Sequence, residues 1–126
     1  QTSQYHNVGT VVAGQNISFL NGHYQTMTVN LPVGTASISF ALADWPARQQ
    51  YAEMVVAILG NDTAKTATFT VSGGGTIKYD TNYPRVSGAG STPQLTIDSS
   101  VNPLLVKFWT YNQGTTVFAQ YLGQYT

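Results

Sequence analysis

Short segments in which apolar and polar residues alternate recur along this chain, separated by turn-forming residues. In residues 24–31, apolar side chains at positions 27, 29 and 31 alternate with polar ones at positions 26, 28 and 30. Successive side chains of a β-strand point to opposite faces, so this period of two predicts a half-buried strand. Residues 36–42 and 66–71 show the same alternation. Less regular apolar runs predict further strands at residues 8–13, 52–59, 76–79, 94–97, 104–111 and 115–122.

Residues 52–59 are ambiguous, because a short apolar run fits either two turns of helix or a buried strand. The adjacent β-branched residues Val55 and Val56 favour a central strand. The last two predicted strands flank residues 112–114 and are expected to form a hairpin. Eight or nine strands without a helix predict an all-β fold, namely an antiparallel two-sheet β-sandwich of about eight strands, such as a jelly roll.

The size of the chain supports one folded unit. A chain of 126 residues with 42% hydrophobic residues can bury a substantial core, and we expect residues 1–126 to form a single domain. No apolar run approaches the length of a membrane span, so the protein is not expected to be membrane-spanning. The absence of cysteine excludes disulfides and thiolate metal sites. Because no initiator methionine or signal-peptide pattern opens the sequence, we expect a fragment or a processed product.

Charged residues are scarce, at 8% of the chain against about 25% in an ordinary soluble domain. Five basic and five acidic residues give a net charge of zero, and the basic residues do not cluster. This distribution argues against nucleic-acid binding, which requires a concentrated positive surface. Hydroxyl and amide side chains replace the charges, and they offer little acid–base chemistry. The composition therefore favours an extracellular binding or structural module over an enzyme.

The acidic and imidazole side chains form no catalytic or metal-binding pattern. His6 and His23 lack the spacing of a metal site, and no Gly-x-Ser-x-Gly motif marks a nucleophile. We therefore predict no catalytic residue, no metal site and no cofactor. The acidic residues lie 9 to 18 positions apart, and we expect them to hydrogen-bond their own turns: Asp44, Glu53, Asp62, Asp80 and Asp98.

Aromatic residues carry more information, since the chain has eight tyrosines, five phenylalanines and two tryptophans. All five phenylalanines fall at positions that predict a place in the core: Phe19, Phe40, Phe69, Phe108 and Phe118. Other rings fall in loops or at strand ends, where amphipathic aromatic side chains bind partners or sugars, although each ring alone also fits ordinary half-buried packing: Trp45, Tyr51, Tyr79, Tyr83 and Tyr111.

An aromatic residue, a proline and an arginine occur together in two predicted loops. Arg48 lies shortly after a Trp-Pro pair, and Arg85 directly follows a Tyr-Pro pair. Arginine is a planar cation that forms paired hydrogen bonds to anions, and the chain contains no other arginine. We predict ligand binding at these loops, in which either arginine anchors a small anionic ligand or an acidic sugar: Trp45, Arg48, Tyr83 and Arg85.

The second half of the chain carries a longer pattern. Residues 93–97 (PQLTI), 102–111 (NPLLVKFWTY) and 114–119 (GTTVFA) form a Pro-x-Leu-Thr strand, a Phe-Trp strand, a Gly-Thr-Thr turn and a final aromatic strand. This order resembles the distal domains of bacteriophage tail fibres and tail needles. The Trp45-Pro46 pair, which precedes a hydrophobic strand, is similar to the same group.

The resemblance implies a trimeric β-sandwich or jelly-roll knob, similar to the tumour-necrosis-factor and adenovirus-knob type, at the C-terminus of a longer protein. It implies an extracellular component of the virion tail, without catalytic residues. Such a structural homotrimer would contact a bacterial surface glycan or an outer-membrane component during attachment or genome delivery. For its oligomer interface we predict three residues near the end of the chain: Tyr121, Leu122 and Tyr125.

Two other functions stay open on the sequence alone. A monomeric carbohydrate-binding module would use the same aromatic residues, displayed on one sheet face or in loops. A small glycan hydrolase would need two carboxylates about 5 to 9 Å apart, and the scattered acidic residues argue against it.

Overall fold

A computed structural model describes residues 4–61, 63–86 and 92–126. Within these ranges the chain forms ten β-strands and one short 3-10 turn at Phe19–Asn21. The strands are β1 (His6–Val11), β2 (Asn16–Ser18), β3 (Tyr24–Val29), β4 (Ser37–Ala43), β5 (Ala52–Gly60), β6 (Lys65–Val71), β7 (Thr76–Tyr79), β8 (Leu95–Ile97), β9 (Leu104–Thr110) and β10 (Thr116–Gln124).

The predicted all-β fold is confirmed, and the ambiguous segment 52–59 is a strand that lies inside a sheet. A six-stranded sheet has the order β1-β3-β5-β9-β10-β7, and a four-stranded sheet has the order β2-β4-β6-β8. Strand β2 was not expected, because its three residues contain a single apolar residue, Ile17, between two polar ones and so show no repeated alternation.

The prediction that both sheets are antiparallel is wrong. From β1 to β6 the chain alternates between the two sheets, and each strand from β3 onward pairs in parallel with the strand two places earlier. Parallel neighbours need a long crossover connection, and here a strand of the other sheet supplies it. The sequence could not reveal this direction, because a strand alternates its side chains in the same way beside a parallel or an antiparallel neighbour.

The antiparallel pairs all involve β8 or β9: β8 pairs with β6, and β9 pairs with both β5 and β10. The edge strand β7 pairs in parallel with β10. The predicted terminal hairpin is confirmed as β9 and β10. Its turn is held by the buried Thr110, whose hydroxyl donates to the Thr116 carbonyl (2.8 Å) and accepts from the Gly114 N–H (3.1 Å). This hairpin fixes the register between β9 and β10, which positions the aromatic side chains on the outer face of the sheet.

Side chains from both sheets form one hydrophobic core. Phe40 of β4 stacks on Phe69 of β6, and Phe69 contacts Phe108 of β9 with ring centroids 4.8 Å apart. Because Phe108 belongs to the other sheet, this contact joins the two sheets. The predicted core positions of these three phenylalanines are therefore confirmed.

Candidate functional site

Aromatic and charged side chains form a row across the outer face of the six-stranded sheet. In β9 the even-numbered residues 104–110 are buried, so Lys107 and Trp109 point away from the core. The strand register places Trp109 opposite Glu53 of β5 and Phe118 of β10, and places Phe118 opposite Lys78 of β7. Four neighbouring strands thus contribute one side chain each to the row.

Four rings in contact on this face form what we call the aromatic strip: Tyr51, Trp109, Tyr111 and Phe118. The rings of Trp109 and Phe118 stack with centroids 4.2 Å apart and planes inclined by 19°. Tyr51 lies 5.9 Å from Trp109, and Tyr111 lies 6.4 Å from Trp109 and 6.1 Å from Phe118. Tyr51 and Tyr111 are 56% and 55% exposed, so the strip presents apolar ring surface to solvent.

The predicted core position of Phe118 is wrong, because its half-buried ring lies on the outer face of the sheet while Val117 and Ala119 are buried. All three residues are apolar, so their alternation does not reveal which side faces the core. Sequence reasoning also missed Trp109 as a site residue. The signal was present, since Trp109 shares its face with Lys107 while Val106 and Phe108 fill the other face.

A depression of about 290 Å³ lies beside the strip, between β7 and β10. Its aromatic wall is Phe118 and Trp109, and its polar lining includes Lys78, Asp80 and Gln120. The volume is just below the ~300–1,000 Å³ range of ligand pockets, so it suits a small ligand. An aromatic wall with an ammonium, an amide and a carboxylate nearby suits a small ligand that has both apolar faces and hydroxyl groups.

Asp80 is held in place at the end of β7. Its Oδ2 accepts a hydrogen bond from the Tyr121 N–H (3.0 Å), while its buried Oδ1 has no hydrogen-bond partner among the described residues. The Arg85 guanidinium donates through Nη1 to the carbonyl oxygens of Asp80 (3.1 Å) and Tyr83 (3.0 Å). Arg85 therefore stabilises the turn after β7, although it is an exposed residue.

The two lysines on this face differ in their surroundings. Lys107 forms an ion pair with Glu53 at 3.2 Å, and the hydrogen bond to Glu53 raises the pKa of Lys107. Lys78 is exposed and has no hydrogen-bond or ion-pair partner in the described ranges. The uncompensated cation on this part of the face is therefore Lys78, at the edge of the depression.

The first predicted loop, with Trp45 and Arg48, lies beside the β9–β10 turn. Trp45 is half-buried and packs against Phe19 at a centroid distance of 5.4 Å. A Cβ built on Gly114 would lie only 2.7 Å from the Trp45 ring, so a glycine is required there. Arg48 is exposed beside this contact, and its role as an anchor for an anion stays a prediction.

The second predicted loop lies at the other end of β10. Tyr83 is 3% exposed and its ring lies 4.6 Å from Tyr79 and 6.5 Å from Tyr121. Burial raises the pKa of Tyr83, and the neighbouring charges of Tyr79 and Asp80 add to this effect. Since a strand rises about 3.3 Å per residue, Gly114 and Tyr121 are separated by roughly 20 Å. The structure therefore does not bring Trp45 and Tyr83 into one site.

The predicted interface residues differ in exposure. Leu122 and Tyr125 are 44% and 59% exposed, whereas Tyr121 is half-buried against Tyr83. The segment is anchored by backbone hydrogen bonds, in which Asn102 donates to Tyr125 (2.7 Å) and Tyr125 donates to Pro103 (2.8 Å). The end of β10 and the residue after it therefore expose the apolar side chains of Leu122 and Tyr125 to solvent.

The described carboxylates are dispersed. Asp98 accepts hydrogen bonds from the hydroxyl and N–H of Ser100 (2.5 and 2.9 Å), as expected for a turn residue, and these bonds lower the pKa of Asp98. Asp44 instead accepts from the more distant Ser18 (2.5 Å). Asp62 lies outside the described residues. In the parts of the chain that the structure describes, no group of three or more His, Cys, Asp or Glu residues could hold a metal ion.

Comparisons with family models, curated proteins and solved structures found no match to this chain. Within the described ranges, no helix has the length and apolar character needed to cross a membrane.

Proposed function

We propose that this domain binds glycans through the aromatic strip and the depression beside it, and that it does so without cleaving them. The observation that carries the proposal is the stacked Trp109–Phe118 pair next to Lys78 and Gln120. The C–H faces of a sugar ring pack on aromatic rings, and its hydroxyl groups need hydrogen-bond donors and acceptors. The depression offers both kinds of surface within one small volume.

Binding is favoured over hydrolysis because the carboxylates near the strip have other partners. Glu53 pairs with Lys107, and Asp80 accepts the Tyr121 N–H through Oδ2 while its Oδ1 is buried. A glycosidase needs one carboxyl group free to protonate the leaving oxygen and a second across the scissile bond. The contacts of Glu53 and Asp80 provide neither a free carboxyl group to act as the acid nor a second carboxylate placed opposite it.

In this proposal the domain is the tip of a bacteriophage tail fibre or tail needle, and the glycan belongs to the bacterial surface. The resemblance of the second half of the chain supports this setting, as does a surface rich in hydroxyl and amide groups. The proposed assembly is a homotrimer, supported by the exposed Leu122 and Tyr125. The alternative is a monomeric carbohydrate-binding module, which would use the same aromatic strip.

The same proposal includes the packing of the two sheets as a sandwich, supported by the core that they share. A jelly-roll, tumour-necrosis-factor-like connectivity rests on the resemblance alone. Jelly rolls are antiparallel, so the parallel pairs among β1 to β6 do not support a jelly-roll connectivity. That connectivity stays a prediction.

A glycan array of bacterial polysaccharides and oligosaccharides tests the proposed function. The wild-type chain should bind at least one glycan, and Phe118→Ala should abolish that signal because it removes the wall of the depression. Tyr5→Ala is the matched control, since Tyr5 is 64% exposed next to the opposite edge of the sheet. Circular dichroism checks that each variant is folded. Absence of any bound glycan, or equal binding by folded Phe118→Ala, would refute the proposal.

A further inference from the structure

We infer that the aromatic strip takes a linear glycan of two or more sugar residues, laid across the strands, with its end residue in the depression beside Phe118. This inference rests on the proposed glycan-binding function and deepens it. It follows from the length of the strip, from the position of Trp109 within it, and from the difference between its two ends.

The strip is too long for a single sugar. Tyr51 directly precedes β5, Trp109 belongs to β9, Phe118 to β10, and Lys78 to β7, which are successive strands of the sheet. Neighbouring strands lie about 4.8 Å apart, so the strip spans roughly 10 Å from β5 to β10, and roughly 14 Å when Lys78 on β7 is included. One pyranose ring is about the size of one aromatic ring and covers only part of that length.

Trp109 lies between the two ends. It contacts Phe118 at 4.2 Å on one neighbouring strand and Tyr51 at 5.9 Å on the other side of the row. A sugar in the depression touches Phe118 and Trp109, whereas Tyr51 lies beyond them. Tyr51 is nonetheless 56% exposed, so its ring is available to a second sugar residue.

The two ends offer different chemistry. The Phe118 end is a depression lined by the amide of Gln120 and by the ammonium of Lys78, which has no ion-pair partner within the described ranges. At the Tyr51 end, the nearby charges of Glu53 and Lys107 compensate each other. The depression therefore suits the hydrogen-bonding groups of a terminal residue, and the open Tyr51 end suits the apolar face of the next residue in the chain.

Calorimetry with fragments of increasing length tests the inference. The probes are fragments of one to four sugar residues, made by partial acid hydrolysis of the polysaccharide that binds on the array and separated by size. Affinity should rise at least about ten-fold between one and two or three residues. Tyr51→Ala should remove that gain with length, and Phe118→Ala should weaken the binding of every fragment.

Two control variants accompany this series. Tyr51→Phe keeps the ring and should keep the gain with length, and Tyr5→Ala should match the wild type. Equal affinity for one and four residues, or an undiminished gain in folded Tyr51→Ala, would overturn the inference and leave the proposed function standing. Failure of the wild type to bind the fragments and their parent polysaccharide would overturn both.

Discussion

The indole of Trp109 stacks on the phenyl ring of Phe118 because the two residues lie directly opposite each other on β9 and β10. The hairpin turn sets this register, and the register creates the stack. The pair has two consequences. It stabilises the outer face of the hairpin, and it builds the apolar wall of the depression in which we propose that a sugar binds.

The Trp109–Phe118 pair should show measurable coupling. Stacked aromatic pairs contribute about 0.5–1.5 kcal/mol beyond the burial of their surfaces. We expect that coupling energy from a double-mutant cycle of Trp109→Ala and Phe118→Ala, followed by urea unfolding. The pair of Trp109 and the more distant Tyr111 serves as the comparison and should couple more weakly. Strictly additive effects of the first pair would contradict the stacking interpretation.

Gly60→Ala should destabilise the protein. A Cβ at this position would lie 1.8 Å from the backbone oxygen of Asp98, and a backbone atom cannot move aside as a flexible side chain can. Overpacking of this kind typically costs about 1–3 kcal/mol. Thermal and urea unfolding measure the loss. Val33→Ala, at a fully exposed position, is the control and should change stability by less than about 0.5 kcal/mol. A Gly60→Ala protein as stable as the wild type would show that β5 and β8 separate easily.

Thr110→Val should weaken the β9–β10 turn. The substitution keeps the shape of the side chain but removes the hydroxyl that donates to Thr116 and accepts from Gly114. Leaving the buried Gly114 N–H and the partly buried Thr116 carbonyl without partners costs about 1–3 kcal/mol. Thr68→Val in β6 is the control, because its side chain forms none of the described hydrogen bonds. Comparable stability of the two variants would assign no role to the Thr110 hydroxyl.

The hydrogen bonds of Ser100 should stabilise the protein only while Asp98 is ionised. The pKa of Asp98 is lowered in the folded state, chiefly by the Ser100 hydroxyl. The ionised Asp98 carboxylate therefore contributes fully to folding stability above the unfolded pKa of about 3.9. This contribution is lost as pH falls through the lower pKa of the folded state. The free energy of unfolding of the wild type and of Ser100→Ala should be measured from neutral to strongly acidic pH. The wild type should be the more stable at neutral pH, and this difference should disappear once the pH falls below the folded pKa of Asp98. Ser99→Ala should show no pH-dependent difference.

Leu122→Asp should separate the proposed trimer into monomers. Leu122 is 44% exposed, and burial of a carboxylate between subunits would be unfavourable. Light scattering behind a sizing column should give about three times 13.6 kDa for the wild type and 13.6 kDa for the variant. Val33→Asp, at a fully exposed position in the turn after β3, should leave the mass unchanged. A wild-type mass of 13.6 kDa would instead favour the monomeric carbohydrate-binding module.

The candidate site was only partly predictable from the sequence. Tyr51 and Tyr111 were expected in loops or at strand ends, as candidate binding residues or as half-buried packing, and both are exposed. Phe118 was expected in the core, because Val117 and Ala119 are also apolar and give no contrast between the two faces. The contact of these rings with Trp109 depends on the pairing of β5, β9 and β10, which no local pattern contains.

By itself, the sequence determined most of the elements, namely the described strands other than β2 and the terminal hairpin. These follow from alternation and turn residues, which act over a few neighbouring positions. The tertiary structure alone decided the parallel winding of β1 to β6, the row across four strands and the separation of Trp45 from Tyr83. Those features depend on which distant strands pair and in which direction. Burial of the whole core selects which strands pair. Alternation within a single strand is the same whether its neighbour is parallel or antiparallel.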